Sequence, residues 1–169
     1  NVNGTDQYHH TYIDETSWSN FSNFHFIGGQ GKSFHIKDAG GNSQIANNVN
    51  ISNVTMDSCG SIYLGNVDRI NVSNVTLRGC NAIFGGEAGL SNLNATNITF
   101  TSKNDTTQTN LFNSNGRWDN VVISNINGTG EFIVNTTNLY NLTIDGGTLQ
   151  NPFGLSADYV FLHANTSAQ

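Results

Sequence analysis

"NISNVTMDSCGSIYL" runs from Asn50 to Leu64, and "NVSNVTLRGCNAIFG" runs from Asn71 to Gly85. The second restates the first 21 residues later, with the same Asn, Ser-Asn-Val-Thr and Cys in the same places. Self-similarity at such a period marks a solenoid, in which each repeat buries its apolar face against the next. Working outward, the phrase recurs as "SNFHFIGG", "TNITFTSK", "DNVVISNI" and "YNLTIDGG". Aligning these copies gives a ladder of Asn23, Asn53, Asn74, Asn97, Asn120 and Asn141, at intervals of 30, 21, 23, 23 and 21 residues.

Within a copy, Val49 and Ile51 alternate with polar residues, Ser52 and Asn53 interrupt, and alternation resumes at Val54 and Met56. That pattern reads as two short strands meeting at a corner. Aligned on the ladder, Val54, Val75, Ile98, Val121 and Leu142 form one inward column, and Met56, Leu77, Phe100, Ile123 and Ile144 form the next. A further strand follows in "SFHIK", "SIYLG", "NAIFGG", "TNLFN" and "EFIVN". Leucine-rich repeats share the period, but their Leu phrase is missing, and β-branched residues and Gly stand where a helix would lie. Parallel rungs sit about 4.8 Å apart, so a corner Asn on each rung can pair its amide with those above and below. The ladder Asn residues are therefore read as structural.

The sequence resembles the right-handed parallel β-helix of the pectate-lyase-like superfamily, in which Asn ladders and aliphatic stacks recur at coils of similar length. The resemblance rests on residues 18–150 and implies an all-β solenoid of about six coils. Segments 1–17 and 151–169 are read as non-repeat extensions or caps. The resemblance speaks to fold alone, because that architecture serves lyases, hydrolases, phage tailspikes and adhesins alike.

Composition narrows the function. Charged residues make up 11% of the 169, with a net charge of −6 and only 6 Lys plus Arg. A phosphate-binding footprint is absent, so nucleic acid is excluded as a partner. No stretch approaches about eighteen uninterrupted apolar residues, so no membrane-spanning helix is expected. Polarity comes from Asn, Ser, Thr and 18 Gly, which suit turns and strand faces better than helices.

Catalytic chemistry is thinly represented. Carbohydrate-cleaving β-helices need clustered carboxylates, often with Arg or Lys. Here Asp57 and Arg78 fall in one outward column, continued by Thr101, Ser124 and Asp145, and a surface ion pair explains that single acidic-basic step. The paired aspartates and Gly-His-Gly of polygalacturonases have no counterpart. His9 and His10 are adjacent on an extended segment, which points their rings to opposite sides and does not gather a metal site. No catalytic residue, metal or cofactor is assigned. Thr55, Thr76, Thr99 and Thr143 form an outward file interrupted by Val122 and His25, which β-propensity explains.

Two further features bear on the surface. Cys59 and Cys80 lie 21 residues apart and stack on adjacent rungs, at a separation a disulfide can span; buried thiols are the alternative. Asn-x-Ser/Thr sequons occur at thirteen positions. Asn50, Asn71 and Asn94 lie between inward residues and should face solvent, so these are the glycosylation candidates, together with Asn3, Asn104, Asn127, Asn135 and Asn165. The run Tyr159, Val160, Phe161 and Leu162 is apolar and follows the repeats, where it can cap an end or pair with a neighbouring molecule. The leading expectation is an extracellular or cell-surface structural or adhesive β-solenoid, partnered by copies of itself or by glycans. The alternative is a β-helix that binds or cleaves polysaccharide.

Overall fold

The computed structural model describes residues 2–3, 9–14, 16–28, 32–37, 46–80, 82–86, 89–101, 109–114, 116–129, 132–135, 139–149, 152–155, 160–162 and 166–168. Among these every regular element is a strand, and every pairing is parallel.

The chain alternates between two sheets. One holds β1 (Val2–Asn3), β3 (Asn20–Ile27), β5 (Ala46–Asp57), β7 (Val67–Arg78), β9 (Leu90–Thr101), β11 (Trp118–Thr129), β13 (Leu139–Leu149) and β15 (Val160–Leu162), in that spatial order. A last strand, β16 (Thr166–Ala168), also pairs with β13. The other holds β2 (His9–Asp14), β4 (Lys32–Lys37), β6 (Ser61–Gly65), β8 (Ala82–Gly86), β10 (Thr109–Ser114), β12 (Phe132–Asn135) and β14 (Pro152–Leu155). Each pass through both sheets is one coil, and coil stacks on coil. The chain is an all-β parallel β-helix.

Left-handed backbone bends the long strands. In β5, Asn48 and Asn53 both have φ of 54°, which breaks the pleat twice and returns the next residue to the interior. Burial follows: Val49, Ile51, Val54 and Met56 are all buried while Asn50 and Asn53 are exposed. Asn populates this region more readily than other non-glycine residues, because its short amide bonds locally. Each long strand therefore carries a first corner and, five residues on, a second.

The first corner stacks Trp18, Asn48, Arg69, Asn92, Asn120 and Asn141, and the second stacks Asn23, Asn53, Asn74, Asn97, Asn125 and Gly146, all at positive φ. This corrects the single ladder expected from sequence. Asn120 and Asn141 belong to the first corner, and Asn125 and Gly146 complete the second. The inward columns shift with them. Val121 and Leu142 continue Val49, Ile70 and Leu93, while Ile123 and Ile144 continue Ile51, Val72 and Ala95. Ile126 follows Ile98, and Gly128 follows Phe100.

The core is a set of aliphatic and aromatic files running along the axis. Val67, Leu90, Trp118 and Leu139 form one, with Trp118 fully buried. Phe34, Ile62 and Phe84 form another on the second sheet. Burying each such side chain contributes about 1.5–3 kcal/mol, so like-on-like stacking is the main source of stability. At Gly128 the file narrows: a Cβ there would collide with the Phe100 ring, so the glycine makes room for phenylalanine one rung before.

The ladder of strands extends beyond residues 18–150. β1 and β2 pair with β3 and β4, and β14, β15 and β16 pair with β12 and β13, so both terminal segments join the coil. They carry no copy of the repeat phrase, which is why sequence reads them as caps. Val160–Leu162 continues the first sheet opposite Leu142–Ile144. Tyr159 lies outside the described residues.

Candidate functional site

Four features concentrate side-chain chemistry in the coil: on its surface the Asn ladders, an ion-pair column and a hollow beside the first corner, and beneath it a buried cysteine pair.

The second-corner ladder runs from Asn125 to Asn97 (2.8 Å), Asn97 to Asn74 (3.0 Å), Asn74 to Asn53 (3.2 Å) and Asn53 to Asn23 (3.3 Å), each Nδ2 donating to the Oδ1 of the preceding coil. The first-corner ladder runs from Asn141 to Asn120 (3.1 Å), Asn120 to Asn92 (3.3 Å) and Asn92 to the Asp68 carboxylate (2.7 Å). A third file lies on the flat between corners, where Asn71 donates to Asn50 at 2.9 Å and Asn50 to Asn20 at 2.8 Å. Asn50, Asn71 and Asn94 are exposed, as is Asn127. Asn3 and Asn135 lie in β1 and β12, and Asn104 and Asn165 lie outside the described residues.

The ion-pair column spans three coils. His25 Nε2 lies 2.7 Å from Asp57 Oδ2, and Arg78 Nη1 donates to Asp57 Oδ1 at 3.0 Å. The hydrogen bond from His25, together with Arg78, holds the Asp57 carboxyl below its ordinary range against the opposing effect of burial. Thr101 and then Thr129 extend this column, while Ser124 aligns with Thr96, and Asp145 with Ser124. The register also moves Thr143 out of the Thr file, beside Val122, and puts Asn127 after Thr99. His25 was legible only as an interruption of that file. His25 stands opposite Thr55, and its ring reaches diagonally to Asp57 two residues further along the neighbouring strand, a pairing that in-register alignment does not reveal.

Cys59 and Cys80 are buried and stand as thiols, so the disulfide considered from sequence is not formed. Each sulfur is turned to main-chain carbonyls: Cys59 Sγ donates to Gly28 O (3.1 Å) and Asp57 O (3.2 Å), and Cys80 Sγ lies 3.5 Å from Met56 O. Burial pushes the Cys80 thiol up to about 12, which makes it a poor nucleophile.

A hollow of about 170 Å³ opens beside the first corner, lined by Asn66, Gly89, Leu90, Ser91, Arg117 and Asp119 among others. Arg117 is held by Asp119 through Nε (2.7 Å) and Nη2 (3.1 Å) and lies 4.5 Å from the Tyr140 ring centre. The Asp119 hydrogen bonds raise the guanidinium further above its usual range. Two coils back, burial pushes the Asp68 carboxyl up, but hydrogen bonds from Ser91 and Asn92, with Arg69 beside it, outweigh this and leave it lowered. Sequence reasoning passed over Arg117 and Asp119, because nothing in their spacing singles them out.

No family model, curated protein or solved structure matches this chain. No helix among the described residues is long and apolar enough to cross a membrane.

Proposed function

We propose that the chain is an extracellular structural or adhesive β-solenoid that assembles by stacking copies end to end. The observation that carries this reading is the distribution of exposed large apolar side chains. Trp18 (79% exposed), Tyr12 (48%) and Ile27 (40%) all belong to the first coils, and among the residues whose side-chain burial is described, which end at Thr148, Val122 (38%) is the other exposed large apolar side chain. Tryptophan and tyrosine combine large contact area with a polar tip and dominate interface energetics. Trp18 and Tyr12, both on the first coils, fit a docking end.

Backbone chemistry supports the same reading. Among the described residues, β2 pairs only with β4 and β14 only with β12, so the second sheet ends in an unpaired edge on each side. Such edges recruit strands. The two ends differ, so the contact is heterologous and head to tail, which grows filaments rather than closed dimers. The uncharged files of Asn and Thr along the flank suit a surface kept soluble without charge, and sugars at the outward sequons would add to it.

Sedimentation over a range of concentrations tests the proposal. The full chain should gain mass as concentration rises, and Trp18→Ala should suppress that growth while leaving the strand signal in circular dichroism. A chain that stays monomeric at every concentration overturns the reading.

A further inference from the structure

We propose that the hollow at the start of β9 binds one neutral pyranose ring. Its shape comes from a missing side chain. Val67, Leu90 and Trp118 stack in register, so the residues before them, Asn66, Gly89 and Arg117, stand on three successive coils. Gly89 supplies no side chain between the other two, and in the next outward file Ser91 is smaller than Asp119 beyond it. A gap thus opens over one rung, walled by polar groups one rung away on either side.

The dimensions select the ligand. Walls two rung spacings apart are separated by roughly 9–10 Å, which admits a single pyranose with a hydrogen bond on each side. The volume, about 170 Å³, falls below the roughly 300 Å³ at which pockets for larger ligands begin. Val67 and Leu90, each only 2% exposed, close the floor of the hollow beneath the polar walls.

Electrostatics select its charge. Arg117 is neutralised by Asp119 at 2.7 Å and lies over the Tyr140 ring, so the pair offers donors and acceptors with no net charge. With a chain charge of −6 and the Asp68 carboxylate ionised behind Ser91, an acidic sugar is disfavoured against a neutral one. This site stands apart from end-to-end assembly, and neither proposal depends on the other.

Titration of the full ¹⁵N-labelled chain with methyl β-D-glucopyranoside, methyl β-D-galactopyranoside and sodium glucuronate tests it. At least one methyl glycoside should produce saturable shifts at the Gly89, Leu90 and Ser91 amides, with a Kd of roughly 1–10 mM, the range for a single small contact. Gly89→Leu should abolish saturation by filling the hollow. A Cβ at this position meets nothing closer than Arg117 O at 3.5 Å, so the fold should hold. Arg117→Gln, which leaves the backbone untouched, should weaken binding at least about tenfold, the loss of one charge-assisted contact. The proposal is overturned if neither methyl glycoside saturates, if both variants bind as the wild type does, or if glucuronate binds more tightly than the neutral sugars.

Discussion

Asn125 donates its side-chain amide to Asn97 at 2.8 Å, and Asn120, five residues earlier on the same strand, donates to Asn92 at 3.3 Å. One strand thus serves two ladders, and both corners hold the left-handed conformation, with φ of 54° at Asn120 and 55° at Asn125. The Asn side chain meets two demands there. It tolerates the backbone, and it links coil to coil.

The two demands separate by substitution. Asn74 is exposed, so water offsets much of the loss of its amide, and the backbone cost should dominate. Asn74→Ala should lower stability by about 1–3 kcal/mol in urea unfolding, and Asn74→Gly by under about 1 kcal/mol, because glycine keeps the positive φ without strain. Equal losses would assign the whole effect to the amide.

Packing along the axis makes a second prediction. Gly128 gives way to the Phe100 ring, so Gly128→Leu should destabilise the chain by at least about 1–3 kcal/mol through overpacking. Phe100→Ala in the same chain should recover part of that loss, seen as a favourable coupling in a double-mutant cycle. Additive losses would show that the two side chains do not compete for one space.

The period, the corner Asn, the strand composition and most of the core files were legible in the sequence, because each is a local pattern repeated at coil length. The register of the last coils was not. Strands β5, β9 and β11 each contain an Asn followed by apolar residues twice, as at Asn92 and Asn97 and again at Asn120 and Asn125, so an alignment on the phrase can slip by five residues and still look apolar. Corners at Trp18 and Arg69 were hidden for another reason: these residues rarely adopt positive φ, and the stack imposes it on them. The hollow escaped because it is made by residues from three coils.

Acid should test the His25, Asp57 and Arg78 column. The Asp57 carboxyl lies below its ordinary value when folded, so it contributes stability above about pH 4 that is lost as pH falls through the folded value. Wild type should therefore exceed Asp57→Asn in stability near neutrality, and the gap should close as urea melts are repeated at lower pH. A gap that stays constant down to about pH 2 would remove Asp57 from the acid response.

Thiol chemistry gives a simple count. With both cysteines buried and the Cys80 thiol pushed up to about 12, a disulfide-exchange reagent should label the folded chain slowly at pH near 8 and label both residues once it is unfolded without reductant. No labelling after unfolding would reveal a bond between them.

The register of the stacked coils is the claim on which everything else depends, and cross-linking reads it most directly. In a chain carrying Cys59→Ala and Cys80→Ala, neighbours one rung apart sit at about 4.8 Å, within reach of a disulfide. Oxidation should join Asn97→Cys to Asn125→Cys within one chain, while Asn97→Cys paired with Asn120→Cys should stay reduced. Efficient bonding of the second pair and none of the first would contradict the two-corner parallel β-helix described here.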